Sequence, residues 1–207
     1  STRILDLACG QGRHAIAFAQ RGMRVTGVDA SVPLLRTAKQ QARTAGGSVS
    51  FIRGDMRTYR DAGQYDIVLV LGNSFGYFGD KDNERVLSNV AASLKTGGWL
   101  VLDLPNTPGM LCRQIAGAWT QKIQGGKITT HTLNFNPETF QVTLRWDIMQ
   151  HGKKTSVDGK LRLYAPPEIN HLLAHYGLVI KKSYGSFTNE PFNIKTKRYL
   201  VIAQKTK

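Results

Sequence analysis

The sequence predicts an α/β fold: a Rossmann-like, doubly wound, mostly parallel sheet with an antiparallel β insertion before the last helix. Three observations predict it. Over residues 1–104, short β-rich apolar runs alternate with helical patterns, which is how a parallel sheet wrapped by helices reads. The run Ile67-Val68-Leu69-Val70-Leu71 is apolar on both faces, as a central parallel strand beneath two helical layers must be. After Pro105 the pattern changes to strands joined by polar turns, then returns to helix and strand.

In order, strands are expected over 3–8, 24–28, 49–52, 65–71 and 99–104, and helices over 13–20, 32–44 and 82–94. Ala15, Ile16, Phe18 and Ala19 recur at helical spacing, and Gly22 and Gly97 stand where helix C-caps belong. The insertion is expected to hold strands over 129–135, 139–149 and 160–164, with turns at Asn136-Pro137-Glu138 and Val157-Asp158-Gly159. Pro166-Pro167-Glu168 opens a helix that Gly177 stops, and strands over 178–183 and 198–203 follow. The expected division is a core of 1–105 with 165–207, and an antiparallel insertion of 106–164 that covers the substrate site.

Composition narrows the class. A chain of 207 residues, 41% hydrophobic, buries roughly 70% of its unfolded surface and needs no covalent staple. Two cysteines, Cys9 and Cys112, are too few and too far apart for a disulfide framework or a zinc site. No metal is expected, and the setting is expected to be reducing and cytoplasmic. The longest apolar candidate, 65–78, is interrupted by Asp66, Asn73 and Ser74, so no membrane span is expected. The opening residues, with Arg3 and Asp6, read as a strand rather than a secretory leader. The net charge of +14 is uneven: residues 1–104 hold 13 Lys/Arg against 9 Asp/Glu, and 105–207 hold 15 against 5. Such a surface attracts nucleic acid or anionic substrates. Its basic residues are scattered rather than gathered in a run, which makes nucleic acid the less favoured partner.

The richest stretch is Ile4-Leu5-Asp6-Leu7-Ala8-Cys9-Gly10-Gln11-Gly12, a strand entering a glycine loop and then a helix. Such a loop lets a ligand approach the backbone at an electropositive helix N-terminus. Gly10-Gln11-Gly12-Arg13-His14-Ala15 also satisfies a dinucleotide fingerprint, and Asp29 lies close to the position of its ribose-binding acid. The loop alone therefore leaves NAD and other adenosine cofactors open. Charge separates them: Asp6 at the strand end repels a diphosphate and attracts an ammonium or sulfonium. Asp29 closes the second strand and can accept both ribose hydroxyls; Asp55 follows the third and can accept an adenine amino group, with Met56 against the ring. Three acids after three successive strands fit the carboxyl-end crevice of a parallel sheet.

On these residues the chain resembles the class I S-adenosylmethionine-dependent methyltransferases, in particular the bacterial small-molecule type. The motifs are Leu5-Asp6-Leu7-Ala8-Cys9-Gly10-Gln11-Gly12, Gly27-Val28-Asp29-Ala30-Ser31, Gly54-Asp55-Met56, Tyr65-Asp66-Ile67-Val68 and Leu94-Lys95-Thr96-Gly97-Gly98-Trp99-Leu100, with Ala8 where the family loop usually has its first glycine. The resemblance implies S-adenosyl-L-methionine as cofactor, held by Asp6, Ala8, Cys9, Gly10 and Gly12 at its methionine part, Asp29 and Ala30 at the ribose, and Asp55 with Met56 at the adenine; Leu71 and Asn73 complete the cofactor set. It also implies a helical cover ahead of the first strand. The residues here start two before that strand, so the cover is expected from elsewhere, a second subunit included, which makes a homodimer a candidate assembly.

The acceptor is expected to be a small molecule methylated on O or N. Asn73 is followed by Ser74-Phe75 rather than the Pro-Pro-Tyr of aminopurine and glutamine N-methyltransferases; Cys112 follows Leu111 rather than the proline of cytosine C5 enzymes; and the acids of metal-dependent catechol-type enzymes are lacking. Candidate bases are Tyr77 and His14. Asn73, Phe75 and Tyr77 are expected to line the acceptor site, with Arg145, His151, Arg162 and Tyr164 of the insertion binding a polar or anionic acceptor. The alternatives are an RNA or protein methyltransferase recruited by the basic second half, and a non-catalytic cofactor-binding scaffold.

Overall fold

A computed structural model describes residues 1–46, 48–113, 117–123, 127–150 and 152–206. The first half runs β1 (Arg3–Leu7), α1 (Arg13–Ala19), β2 (Arg24–Asp29), α2 (Val32–Ala45), β3 (Val49–Arg53), β4 (Tyr65–Val70), α3 (Asp80–Ser93) and β5 (Leu94–Pro105). Then come α4 (Thr107–Cys112), β6 (Gly117–Ile123), β7 (Lys127–Asn136), β8 (Gln141–Gln150) and β9 (Lys153–Arg162). The chain closes with α5 (Pro166–His175), β10 (Leu178–Tyr184) and β11 (Arg198–Lys205).

The main sheet has the order β10-β11-β5-β4-β1-β2-β3, and β6 to β9 form a separate four-stranded antiparallel sheet. In the main sheet β1 to β5 are parallel and β11 is antiparallel to β5, pairing Arg198 with Pro105. Helical crossovers make the parallel pairings possible. The period of two along β1 decides what each residue does. Leu5 and Leu7 face the core beneath α3 and α5, with Val68, Leu100, Ile169 and Leu173. Ile4 faces the layer of Ala15 and Val25 on the other side, and Asp6 shares that face. Burying each such leucine or isoleucine contributes about 2 kcal/mol.

The expected architecture holds; several local expectations do not. Val157-Asp158-Gly159 is not a turn but lies inside β9, which starts at Lys153 and pairs these residues with Trp146, Arg145 and Leu144. Gly159 is there because the Trp146 ring lies across it: an added Cβ would meet the ring at 3.1 Å. Gly97 does not cap α3, which ends at Ser93; its positive φ of 79° bends the chain early in β5. The elements α4 and β6 have no counterpart in the sequence reading.

The second sheet is pinned to the core at one end. The Arg162 N–H donates to Gly76 O at 2.8 Å, while within the insertion the Leu163 N–H donates to Phe140 O at 2.8 Å. Leu133, Val142, Leu161 and Leu163 form a small core there.

Candidate active site

The backbone after β1 is bent by three left-handed residues, Ala8 (φ 60°), Gly10 (φ 55°) and Gly12 (φ 77°). The Cys9 N–H donates to Val28 O at 3.0 Å and the Gly12 N–H to Cys9 O at 2.9 Å. An added Cβ on Gly12 would meet the Phe51 ring at 2.7 Å, so only glycine lets the loop lie this close to β3. Ala8 adopts its conformation at a cost of roughly 1 kcal/mol, which explains why a glycine is usual there.

Asp29 ties the loop to the second strand end. Its Oδ2 accepts the Gly10 N–H and its Oδ1 the Ser31 N–H, both at 2.8 Å. Ser31 itself caps α2, accepting the Leu34 N–H at 3.5 Å. Capping therefore falls to Ser31, and Asp29 braces the crevice between β1 and β2. Two cavities open on either side of Ala8. One of about 440 Å³ is lined by Gly10, Arg13, His14, Leu71, Gly72 and Ser74 among others. The other, of about 180 Å³, is lined by Ala8, Asp29, Ala30, Gly54, Asp55, Met56 and Phe78. Together they form a trough across the carboxyl ends of β3, β2, β1 and β4.

Unmet polar groups gather at this end. Asp6 is 1% exposed and its Oδ2 has no partner. Burial raises its pKa to about 7, against the Ala15 backbone N–H, which lowers it; the Asp29 charge adds to the rise. Asn73 stands in a left-handed conformation (φ 57°) with its Oδ1 buried and unpartnered. Asp103, fully buried at the end of β5, accepts the Gly72 N–H at 2.8 Å and pairs with Arg198, while its Oδ1 has no partner. Burial, then the neighbouring Arg13, lowers the His14 pKa, so the imidazole is held neutral.

On the adenine side the charged groups are paired. The Asp55 carboxylate receives Arg57 through Nη2 at 2.6 Å and Nε at 3.0 Å, and that pairing holds its pKa below the usual carboxylate range. The Arg57 guanidinium also stacks on Phe78 at 4.5 Å. Cys9 is 8% exposed, and burial pushes its thiol up to about 12, so its contribution is packing rather than nucleophilicity.

The acceptor residues expected from sequence fare less well. Phe75 is 1% exposed and packs on Tyr164 with ring centroids 5.1 Å apart, so neither faces an acceptor. The Tyr164 hydroxyl accepts the Asn83 Nδ2 donor at 2.9 Å. Arg162 bridges Asp80 of α3 and Glu168 of α5 and stacks over Tyr164, which makes it a clamp at the root of the insertion. Arg145 lies out along β8, exposed and paired with Asp147 and Asp158. His151 lies outside the described residues. Tyr77 is at the surface, 51% exposed, on the loop that leaves β4. Residues that sequence reasoning missed are Arg13, Ser74 and Phe78, which line the two cavities, and Asp103 with Arg198. Only Arg13, directly after the glycine loop, carried a local signal.

Known proteins settle the family. A family profile described as "Methyltransferase domain" matches residues 4–98. Glycine N-methyltransferase of Mus musculus is 30% identical over 207 residues, covering 88% of this chain and 69% of that protein. The chain belongs to the S-adenosylmethionine-dependent methyltransferases. A glycine/sarcosine N-methyltransferase of Halorhodospira halochloris is 36% identical over 114 residues, where this chain spans 42% of the relative's length. Among solved structures, the CcbJ methyltransferase from Streptomyces caelestis shares the fold over all of this methyltransferase chain and 84% of its own, with TM-score 0.90 at 20% identity. The S-adenosylmethionine-bound amino pentose methyltransferase CalS10 from Micromonospora echinaspora does so with TM-score 0.75 at 24% identity. The cofactor of the family is S-adenosyl-L-methionine, and the trough, with unpartnered polar oxygens beside it, is a site with room and polarity for such a group. Among the described residues no helix is long and apolar enough to cross a membrane.

Proposed function

We propose that this methyltransferase methylates a nitrogen of a small-molecule acceptor. The observation that carries the cofactor side of the reading is the Asp6 Oδ2, a buried carboxylate oxygen without a partner near the end of β1, just ahead of the glycine loop. A buried charge requires a counter-charge, and the ammonium of the cofactor's methionine part supplies one where a diphosphate would be repelled. Bound in the trough, S-adenosyl-L-methionine supplies a methyl group activated by a sulfonium. The chain's residues bind and align. Asp29 takes the ribose hydroxyls; Ala30, Met56 and Phe78 enclose the adenine, with Asp55 at its polar edge; Arg13 faces the carboxylate of the methionine part. Alignment supplies most of the effect in such a transfer.

Nitrogen is favoured over oxygen by the relatives named as glycine and glycine/sarcosine N-methyltransferases. An amine acceptor arrives protonated and must lose a proton before it can attack; a neutral imidazole on the cavity wall accepts one. The relatives named as glycine, glycine/sarcosine and amino pentose methyltransferases support a small amine. Tyr77, exposed at the rim, and Asn73, with its orphaned Oδ1, complete the acceptor side from the β4 loop.

Calorimetric titration with S-adenosylhomocysteine and with NAD tests the cofactor reading; tighter NAD binding would sink it. Transfer of labelled methyl groups to small amines, small alcohols, RNA and protein then tests the acceptor class. Transfer to RNA, with binding that weakens steeply as salt rises, would replace the small-molecule reading.

A further inference from the structure

We propose that the free edge of β3 is a docking site for an acidic, extended segment of a partner protein, which adds to the main sheet as one more strand. The place is remote from the methyl-transfer site, and the inference does not rest on the function proposed above.

The topology sets the place. The main sheet ends at β3, which pairs with β2 on one side, so along its other side run backbone groups with no strand beyond them. The period of two sends successive residues of β3 to opposite faces, and a cleft lies beside the edge on each. One, of about 350 Å³ between β3 and α2, is lined by Val49 and Phe51 with Lys39 and Arg43 among others. The other, of about 660 Å³, is lined by Ser48 and Ser50 with Arg24 among others. A strand laid along β3 has the same alternation, so its side chains enter the two clefts in turn while its backbone pairs with the edge.

Charge says what those side chains are. From Asp29 to Asp55 the chain has no acid between, while Arg36, Lys39, Arg43 and Arg53 all fall in that stretch. Arg36, Lys39 and Arg43 stand three and four residues apart on α2, an exposed stripe of like charge that weakens a helix left to itself. Arg24, Lys39, Arg43 and Arg53 are exposed and make no ion pair among the described residues. Both clefts thus offer cations, Lys39 and Arg43 on one face and Arg24 on the other, and carboxylates on both faces of the added strand answer them. Ile52, 38% exposed on the Ser50 face, gives the strand an apolar contact as well. The same charge repels a second copy of β3, which would set these cations against their own kind. RNA matches the surface less well: single strands are held by stacking on aromatic rings, and the exposed aromatic side chains among the described residues, Tyr77, Trp99 and Phe187, lie on other elements. Nor does RNA carry the N–H and C=O row that a strand edge pairs with.

The test is fluorescence anisotropy with a labelled peptide of about eight residues repeating Glu-Glu-Val-Val, which in an extended chain puts acidic and apolar side chains on both faces. A Gln-Gln-Val-Val peptide is the uncharged control. The acidic peptide should bind with a Kd of about 100 μM or tighter, and the control at least tenfold more weakly. N-methylation of alternate peptide amides then tests the strand without altering the protein: one methylated set faces β3 and should abolish binding, and the other faces solvent and should preserve it. Lys39→Glu combined with Arg43→Glu should weaken the acidic peptide at least tenfold, with S-adenosylhomocysteine affinity and thermal midpoint unchanged. If the control binds equally, if the two methylated sets behave alike, or if the charge reversal leaves peptide affinity intact, the docking edge is overturned. Tighter binding of a short oligouridylate than of the peptide, lost in the same charge reversal, would make the surface one for nucleic acid and overturn it too.

Discussion

The two ends of the main sheet both carry cavities, and the larger is at the amino end. It has about 660 Å³ and is lined by Arg3, Arg24, Ser48, Ser50 and Tyr65 among others, against about 440 and 180 Å³ at the carboxyl end. The polar groups at the amino end are largely matched: Arg3 donates to Gln64 at 2.6 Å and, through its N–H, to Asp66 at 2.8 Å, and the Tyr65 hydroxyl reaches Asp61 at 3.0 Å. At the carboxyl end Asp6, Asn73 and Asp103 each bury an oxygen with no partner, and Ala8 and Asn73 hold left-handed conformations that side chains disfavour. Volume marks where chains part. Unmet hydrogen bonds and strained backbone mark where a ligand completes the structure.

The comparison can be broken most directly at Asp29. Asp29→Ala removes the acceptor of the Gly10 and Ser31 N–H groups and of the ribose together, so S-adenosylhomocysteine affinity should fall about 100-fold or more. Arg24→Ala, in the larger cavity, should leave that affinity unchanged. Equal effects in calorimetry would erase the distinction between the two ends.

The insertion root should respond in stability instead. Arg162→Ala loses the bridge between Asp80 and Glu168. Asp80 is 65% exposed and Glu168 36%, so the expected loss is about 1 kcal/mol, read from the midpoint of denaturant unfolding, with cofactor affinity preserved. A fall in cofactor affinity would move the insertion into the site.

Asp6 sharpens the contrast through pH. Its pKa of about 7 lies above the 3.8 of an ordinary solvated aspartate. The folded chain therefore keeps a proton that the unfolded chain has lost, and stability falls as pH rises between those values. A cationic ligand selects the ionised form, so binding releases this proton below pH 7, and affinity should rise with pH up to about 7 and then level. Asp6→Asn should flatten the profile and weaken S-adenosylhomocysteine about tenfold at pH 8. A wild-type profile that stays flat between pH 5.5 and 8 would remove Asp6 from the ammonium site.

The smallest effect is expected at Ala8→Gly. Relief at a φ of 60° outweighs the added freedom of the unfolded chain by about 0.5 kcal/mol, a rise in thermal midpoint of about 2 °C. A decrease would show that the Ala8 methyl packs more than it strains.

What was legible from sequence follows the range of the interactions. The strand, glycine loop and helix around Asp6 are consecutive residues whose chemistry is local, and so are Asp29 and Asp55, each directly after its strand. Val157-Asp158-Gly159 misled because Asp-Gly is a turn signal in isolation; what keeps it extended is Trp146 on the neighbouring strand. The acceptor side was read least well. Phe75, Arg162 and Tyr164 have residue types suited to a substrate, yet contacts with Tyr164, Asp80 and Glu168 bury or occupy them. Arg198 and Asp103 lie 95 residues apart and meet only because β11 runs antiparallel beside β5, a pairing no local pattern announces.

Gly76 gives the insertion a lever. A Cβ there would come within 2.5 Å of Arg162 O, so the β4 loop and the end of β9 touch backbone to backbone. The ten residues of β9 extend about 33 Å from that fulcrum. Any larger residue at position 76 pries the contact open by about an ångström, and with roughly 5 Å between neighbouring strands as the short arm, the far tip swings by several. One hydrogen atom in place of a methyl group thus lets the β4 loop and the root of the second sheet lie in backbone contact.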